Sequence, residues 1–280
     1  MTEQGTHWYT EMKFRNSVIA IVLLISIFLV SQALAPISIE DTAITSDKVV
    51  IKYNAYRTSK ESALFIVPGW FMTKDSKSFK SIAEDFSKYY DVYTIDLRGH
   101  GKSSGTYTFT SNEVKDIRAV IERVRSERNY KKYYLLGFSL GGALVINYGA
   151  EYKDVDSIIA VSAPTSFDNI ENHFWSKEAV IPTLKKFEFD RWISIRPSLP
   201  FKDKVNSVDV IAEISPIPIY LIGGQKDKTV FPWHAYRLYN AAKEPKKVYV
   251  FPDTIHAEDI YLSSPQTFVN SCYNWYEHGI

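Results

Sequence analysis

A short stretch near the middle of the chain, residues 133–142, constrains the fold more than any other part of the sequence. It begins with the apolar segment Tyr133–Phe138 and continues into Ser139, which has a glycine two residues away on each side. The residues that follow, 143–152, have a composition typical of a helix. This stretch therefore predicts a strand, a sharp turn with a serine at its apex, and a helix.

The residue types around this turn are those that an exposed nucleophile requires. A Cβ atom at Gly137 or Gly141 would collide with the neighbouring strand or with the start of the helix, so glycine is expected at both positions. Ser139 would then occupy a strained turn with its hydroxyl clear of the backbone. The backbone N–H of Leu140, in the first helical turn, would point at the place where a carbonyl oxygen becomes an oxyanion.

Strands and helices alternate along the rest of the chain. Apolar strands are predicted at 48–57, 62–68, 91–97, 157–163, 217–222 and 246–251, and helices at 76–89, 111–128, 233–242 and 265–276. Such alternation specifies an α/β protein with a mostly parallel, doubly wound sheet. The segment 164–215 interrupts the pattern.

Four residues with useful chemistry come directly after predicted strands: Trp70, Ser139, Asp227 and His256. In an open parallel sheet, functional groups collect at the carboxyl ends of the strands. We therefore expect these residues to meet at one edge of the sheet.

The last three of these residues come in the order serine, acid, histidine, each after a strand. With this order and context, the chain resembles the α/β-hydrolase fold, and in particular the serine hydrolases of the esterase and lysophospholipase-like branch. The resemblance covers about residues 45–280. It rests on the segments Gly137–Gly142, Asp96–Ser103 and Gly224–Asp227, and on His256 after the last strand. It implies one α/β-hydrolase domain over 45–280, in which the insertion 164–215 forms a small cap over the active site.

The resemblance also implies a role for each residue of a catalytic triad. Ser139 would be the nucleophile, since a hydroxyl is inert at neutral pH unless a base removes its proton. His256 would be that base. Asp227 would hold the imidazole in one tautomer and stabilise its charged form. Three other acidic residues are alternatives that lie less well at the end of a strand: Asp168, Asp253 and Asp259.

The oxyanion hole would use the backbone N–H groups of Leu140 and Trp70. Many relatives have His-Gly before the second donor, whereas this chain has Pro68-Gly69. Backbone donation does not need that histidine. Phe71 is the alternative to Trp70 as the second donor.

Aromatic residues around the site and in the cap favour a hydrophobic substrate. The predicted substrate contacts are Phe71, Phe138, Phe167 and Trp175. The preferred function is hydrolysis of a carboxylic ester that is hydrophobic or derived from a lipid. Hydrolysis of an amide or peptide on the same triad is an alternative, as is a non-catalytic, membrane-tethered binding protein of this fold.

The N-terminal region contains an apolar segment, residues 18–35, that is preceded by basic residues such as Lys13. Two interpretations are open: a signal anchor, since about eighteen apolar residues can just span a bilayer, or a cleaved signal peptide. The anchor is preferred, with 1–17 as a cytoplasmic tail and the catalytic domain on the non-cytoplasmic side. Cleavage would instead give a secreted or periplasmic protein. Met12 is an alternative start to Met1.

Composition excludes several other classes of protein. The 280 residues are 45% apolar, which is enough for one large domain. The formal charge of +1 gives no electrostatic case for a nucleic-acid partner. Cys272 is the only cysteine, so an internal disulfide is impossible, and no spacing of His, Asp and Glu indicates a metal site. No glycine-rich dinucleotide motif follows the first strand, and no cofactor is predicted.

Overall fold

One eight-stranded sheet carries the residues that the sequence predicts to be functional. In chain order its strands are β1 (Ser38–Ile44), β2 (Val50–Tyr56), β3 (Ser62–Val67), β4 (Asp91–Ile95), β5 (Lys132–Phe138), β6 (Ser157–Val161), β7 (Ile219–Gly224) and β8 (Lys246–Phe251). Their order across the sheet is β1-β2-β4-β3-β5-β6-β7-β8. The pairs β1–β2 and β2–β4 are antiparallel, and every pair from β4–β3 to β7–β8 is parallel. The prediction of a mostly parallel, doubly wound sheet is confirmed.

Helices cover both faces of this sheet. They are α1 (Lys77–Phe86), α2 (Val114–Glu127), α3 (Leu140–Tyr152), α4 (Ser207–Val210), α5 (Trp233–Ala241), α6 (Glu258–Ser263) and α7 (Pro265–His278). The buried side chains of α2, α3 and α5 form one core with one face of the strands, and those of α1, α6 and α7 form a second core with the other face. Because the central parallel strands are covered on both faces, they are continuously apolar in the sequence.

The computed structural model describes residues 16–17, 19, 37–108, 111–170, 176–177, 181, 188, 194–198 and 204–279. The chain divides into two units, Met1–Ile37 and Ser38–Ile280. The predicted tail, 1–17, and the predicted anchor, 18–35, lie outside the described residues except at positions 16, 17 and 19. Within the described part of the chain, no helix has both the length and the apolar character to cross a bilayer.

The first strand, β1, is a feature that the sequence analysis does not predict, and it precedes the predicted domain boundary at residue 45. Its segment SIEDTAI contains two acidic residues, and the side chains of Ile39 and Ile44 are more than half exposed. It pairs along its whole length with β2 at the edge of the sheet. An edge strand of this kind is stabilised by backbone pairing, so its sequence lacks the apolar pattern of a buried strand.

Gly141 allows α3 to begin close to the end of β3. A Cβ atom at this position would lie 2.3 Å from the carbonyl oxygen of Val67 and 2.5 Å from that of Pro68. Both are backbone atoms that cannot rotate away. We therefore expect Gly141→Ala to lower the free energy of unfolding by about 3 kcal/mol, or to prevent folding altogether.

Gly223→Ala is the matched control, because a Cβ atom there would lie no closer than 3.5 Å to the side chains around it. Its free energy of unfolding should change by less than about 1 kcal/mol. Urea denaturation followed by circular dichroism measures both variants. Equal effects of the two substitutions would contradict the steric explanation for Gly141.

Candidate active site

Ser139 lies at the turn between β5 and α3, in the conformation that the sequence predicts. Its backbone angles are φ 53° and ψ −121°, a region that is costly for a residue with a Cβ atom. Its N–H donates to the carbonyl of Val161 at 2.8 Å, and its carbonyl accepts from the N–H of Ala143 at 3.2 Å. A Cβ atom at Gly137 would lie 2.3 Å from the carbonyl oxygen of Gly141, which explains the glycine there.

His256 follows β8 and lies between the side chains of Ser139 and Asp227. Its Nε2 is 2.8 Å from the Oγ of Ser139, and its Nδ1 is 2.7 Å from the Oδ2 of Asp227. Because a carboxylate oxygen only accepts, the hydrogen of the neutral ring is on Nδ1. The lone pair of Nε2 then faces the serine hydroxyl. The structure thus brings together the three predicted catalytic side chains, in an arrangement suited to a nucleophile, a base and an acid that orients the base.

The carboxylate of Asp227 is buried and held in one orientation. Its side chain has no exposed surface. The Oδ1 atom accepts hydrogen bonds from the N–H groups of Thr229 and Val230, both at 2.9 Å. Oδ2 is therefore directed at His256, and the imidazole has a fixed acceptor for its Nδ1–H.

The alternative acidic residues have other surroundings. Asp253 is 83% exposed and pairs with Lys226 at 2.7 Å. Asp168 is 76% exposed and pairs with Lys204 at 2.9 Å. Asp259 lies in α6, where its backbone N–H donates to the carbonyl of His256 at 3.1 Å. The geometry favours Asp227 as the partner of the imidazole.

Gly224 allows the loop that carries His256 to pass against the end of β7. A Cβ atom at Gly224 would lie 2.1 Å from the carbonyl oxygen of Ile255. The N–H of Lys226 also donates to the carbonyl of Thr254 at 2.8 Å. These contacts join the segment that bears the acid to the segment that bears the base.

Ser162 is a further residue of this region that the sequence analysis does not single out. Its Oγ accepts a hydrogen bond from the N–H of Ala257 at 3.1 Å. Ala257 has a φ angle of 53° and directly follows His256, so this hydrogen bond stabilises a strained backbone next to the imidazole. Ser162 directly follows β6, and the rule that functional groups lie at strand ends could have found it.

The loop after β3, residues 68–76, runs directly against the serine turn. A Cβ atom at Gly69 would lie 2.9 Å from the Cβ of Ser139 and 2.9 Å from the carbonyl oxygen of Phe138. Trp70 is the next residue in this loop, and Leu140 directly follows Ser139. The two N–H groups predicted to form an oxyanion hole therefore belong to backbone segments that meet at Ser139.

His100, in the loop after β4, is a hydrogen-bond acceptor for this β3 loop. The N–H of Phe71 donates to the Nε2 of His100 at 3.3 Å. The Nδ1 of His100 is 3.2 Å from the carbonyl oxygen of Arg98, and because that oxygen only accepts, Nδ1 carries the hydrogen. Burial lowers the pKa of His100 to about 4, so the ring is neutral at pH 7. Since the Phe71 N–H points at His100, Trp70 is the better candidate for the second oxyanion donor.

A second contact holds the same loop in place. The Oδ1 of Asp96 accepts a hydrogen bond from the backbone N–H of Lys74 at 2.7 Å, and its Oδ2 accepts one from the N–H of Lys102 at 3.0 Å. The segment Asp96–Ser103 is one of those on which the resemblance to the α/β-hydrolase fold rests. It positions the β3 loop through both Asp96 and His100.

For the ester hydrolysis that the sequence predicts, we expect His100→Phe to lower kcat by about tenfold to a hundredfold with little change in KM. Loss of the acceptor would let the β3 loop shift, which weakens a donor that acts mainly in the transition state. His100→Gln, which keeps an acceptor in the side chain, should retain most of the activity. A rise in KM at constant kcat, or an equal loss in the two variants, would argue against this positioning role.

The predicted substrate contacts have different surroundings. The ring of Phe138 is fully buried, and its centroid lies 5.2 Å from that of Phe79 and 6.0 Å from that of Phe268. It belongs to the core between the sheet and α1, α6 and α7, so the surroundings of the Phe138 ring are those of a core side chain and do not support the predicted contact with the substrate. The ring of Phe71 packs against that of Trp70 at 5.9 Å.

A cavity lies beside the first turns of α3. Residues that line it include Tyr107, Leu140, Ala143, Asn147, Phe167 and Lys204. Phe167, one of the predicted substrate contacts, is therefore at this cavity. Trp175, another predicted contact, lies outside the described residues, as does much of the predicted cap, 164–215.

Comparison with known proteins agrees with this architecture. Residues 62–188 match a family described as the alpha/beta hydrolase fold. An esterase of Pyrococcus furiosus, Pf2001, superposes with a TM-score of 0.70 over 87% of this chain and 91% of its own, at 20% sequence identity. The chain has the α/β-hydrolase fold.

Relatives of this α/β-hydrolase-fold chain are found among curated proteins. "Uncharacterized protein YfhR" of Escherichia coli K12 is 28% identical over 197 residues, which cover 66% of this chain and 62% of the relative. A monoacylglycerol lipase of Mycolicibacterium smegmatis is 34% identical over 76 residues, or 26% of this chain and 27% of the lipase. A yeast protein, "Uncharacterized membrane protein YNL320W" of Saccharomyces cerevisiae, is 28% identical over 178 residues, or 60% of this chain and 55% of its own. The chain thus spans less than two thirds of the length of these relatives.

Proposed function

We propose that this protein is a serine hydrolase that cleaves carboxylic esters through an acyl-enzyme on Ser139. The observation that carries the proposal is the hydrogen-bonded series from Ser139 through His256 to Asp227, at 2.8 and 2.7 Å. With its Nδ1–H donated to Asp227, the imidazole has the tautomer that a general base needs. A serine in a turn of no chemical significance does not require such partners.

The proposed reaction has two steps. The Oγ of Ser139 attacks the ester carbonyl while its proton passes to the Nε2 of His256, and the charge on the carbonyl oxygen is stabilised by the N–H groups of Trp70 and Leu140. The alcohol leaves with the proton from His256. Water then attacks the acyl-enzyme with His256 again as base, which releases the carboxylic acid and restores Ser139.

The choice of an ester rests on the relatives and on the lining of the cavity. A protein of the same fold is an esterase, and one relative in sequence is a monoacylglycerol lipase. Apolar side chains such as Leu140, Leu144 and Phe167 line the cavity beside the first turns of α3, which suits a substrate with an apolar part.

Labelling with a fluorophosphonate probe tests the proposed reaction class. The wild-type protein should become labelled and should hydrolyse 4-nitrophenyl esters, whereas Ser139→Ala should do neither. A panel of acyl chains of increasing length then tests the preference for hydrophobic esters. Absence of both labelling and hydrolysis in folded wild-type protein would favour the non-catalytic alternative, and cleavage of anilides but not of esters would favour the amide alternative.

We also propose that the segment 18–35 anchors the protein in a membrane with the hydrolase domain on the non-cytoplasmic side. Support comes from the apolar composition of this segment and from the name of the yeast relative. The full chain should remain with membranes after extraction at alkaline pH, and protease added from the non-cytoplasmic side should digest the domain. Release of the full chain by that extraction would contradict the anchor.

A further inference from the structure

A buried lysine lies near the end of the β3 loop, and two carboxylates hold its ammonium group. The side chain of Lys74 has no exposed surface, and its Nζ is 2.8 Å from the Oε2 of Glu40 in β1. The same Nζ is 2.6 Å from the Oδ2 of Asp75. The side-chain amide of Asn54, in β2, donates to the Oδ1 of Asp75 at 3.0 Å. Charged hydrogen bonds thus join the β3 loop to both β1 and β2.

Glu40 also completes a cycle of hydrogen bonds with the loop after β4. Its Oε2 accepts from the Nζ of Lys102 at 2.7 Å, as well as from that of Lys74. The backbone N–H groups of the same two lysines both donate to the carboxylate of Asp96, which is buried. The two loops are therefore joined twice, through the backbone by Asp96 and through the side chains by Glu40.

Such a cluster is an inefficient way to stabilise a fold. Moving an ammonium group out of water costs free energy that ion pairs often offset only in part, and apolar side chains of similar size can stabilise a protein as well. Charged hydrogen bonds do add geometric specificity, because each requires a particular direction. The loop that gains this specificity carries Gly69, which lies against Ser139, and Trp70, the proposed oxyanion donor.

We propose that Glu40 is a positioning residue for the reaction: through Lys74 it holds the β3 loop, and with it the N–H of Trp70, where an oxyanion on the substrate would form. This inference rests on the proposed function, because that N–H has a catalytic role only if Ser139 attacks a carbonyl carbon. It gives β1 a part in catalysis, although the strands β2, β4 and β3 separate it from β5, which leads to Ser139.

Steady-state kinetics of two Glu40 variants test this role. Glu40→Ala should lower kcat for a 4-nitrophenyl ester by about tenfold with little change in KM, since a displaced donor weakens stabilisation of the transition state and not the binding of the ester. Glu40→Gln keeps an oxygen that accepts from Lys74, so it should retain more than about a third of the wild-type kcat. A rise in KM at constant kcat, or equal losses in the two variants, would overturn the inference.

Asp41→Ala is the control for a general weakening of β1. The side chain of Asp41 is 29% exposed, close to the 32% of Glu40, but its carboxylate pairs with Arg57 at 3.8 Å. Successive side chains of a strand point to opposite faces of the sheet, so this variant loses an acidic group of β1 without changing the contacts of Lys74. Its kcat should stay within about twofold of the wild type. A loss as large as that in Glu40→Ala would assign the effect to the stability of β1 and overturn the inference.

Amide hydrogen exchange keeps the two proposals distinguishable if no ester is hydrolysed. The β3 loop has hydrogen-bonded N–H groups at Phe71, Met72 and Lys74. Exchange in a peptide that covers 69–76 should become about tenfold faster in Glu40→Ala and should be unchanged in Asp41→Ala. Faster exchange in Glu40→Ala alone would support the role of Glu40 in holding the loop even if the hydrolase proposal failed. Unchanged exchange in Glu40→Ala would overturn the inference whether or not the protein hydrolyses esters.

Discussion

Replacing Ser139 with alanine is expected to reduce kcat/KM for a 4-nitrophenyl ester by about ten-thousandfold to a millionfold, the range typical of removing a nucleophilic serine. The hydroxyl is 2.8 Å from the Nε2 of His256, within the distance at which a general base removes a proton. The residual rate would come from binding and from the N–H groups that stabilise the oxyanion.

The alanine variant should fold normally. The turn is held by backbone hydrogen bonds of residue 139 to Val161 and Ala143, and alanine preserves both. Ser126→Ala, at a serine on the exposed end of α2 whose Oγ donates to the carbonyl of Arg123, is the control and should retain full activity. Steady-state kinetics on both variants, with circular dichroism spectra for folding, measure the difference. Retention of more than about a tenth of the wild-type rate by folded Ser139→Ala would exclude Ser139 as the nucleophile.

The serine turn shows which parts of the site a sequence can predict. A Cβ atom at Gly137 would lie 2.3 Å from the carbonyl oxygen of Gly141, and one at Gly141 would lie 2.3 Å from that of Val67. The first contact is within the turn and the second joins the turn to the end of β3, and both restrict the residue to glycine, which is visible in the sequence. The positions of Asp227 and His256 followed from a similar rule, because the ends of parallel strands meet at one edge of the sheet. Asp227 and His256 are 29 positions apart in the chain. They meet in the structure because β7 and β8, the strands that precede them, are neighbours in the sheet.

Phe138 shows why the substrate contacts were harder to predict. Within β5, Tyr134, Leu136 and Phe138 enter one core and Tyr133 and Leu135 the other. Because both faces are buried, the segment has no polar alternation from which the sequence could assign a face. The contact between His100 and Phe71 was also missed, since it joins two loops whose path depends on the whole sheet.

Asp227→Asn is expected to lower kcat by about ten-thousandfold, through the tautomer of His256. The N–H groups of Thr229 and Val230 both point at the Oδ1 of residue 227. An asparagine must therefore keep its oxygen at that position, and its NH₂ group would face the Nδ1 of His256. That nitrogen would become the acceptor, the hydrogen would move to Nε2, and the imidazole could no longer accept the proton of Ser139.

Asp253→Asn is the matched control. Asp253 lies close to His256 in the sequence, but its side chain is exposed and paired with Lys226. Its kcat should stay within about twofold of the wild type, since the loss of an exposed ion pair has little energetic effect. Both variants keep the size of the side chain, so cavity formation contributes nothing to the comparison. A greater loss in Asp253→Asn than in Asp227→Asn would assign the orienting acid to the loop after β8. A small loss in both would mean that His256 keeps its productive tautomer without a carboxylate partner.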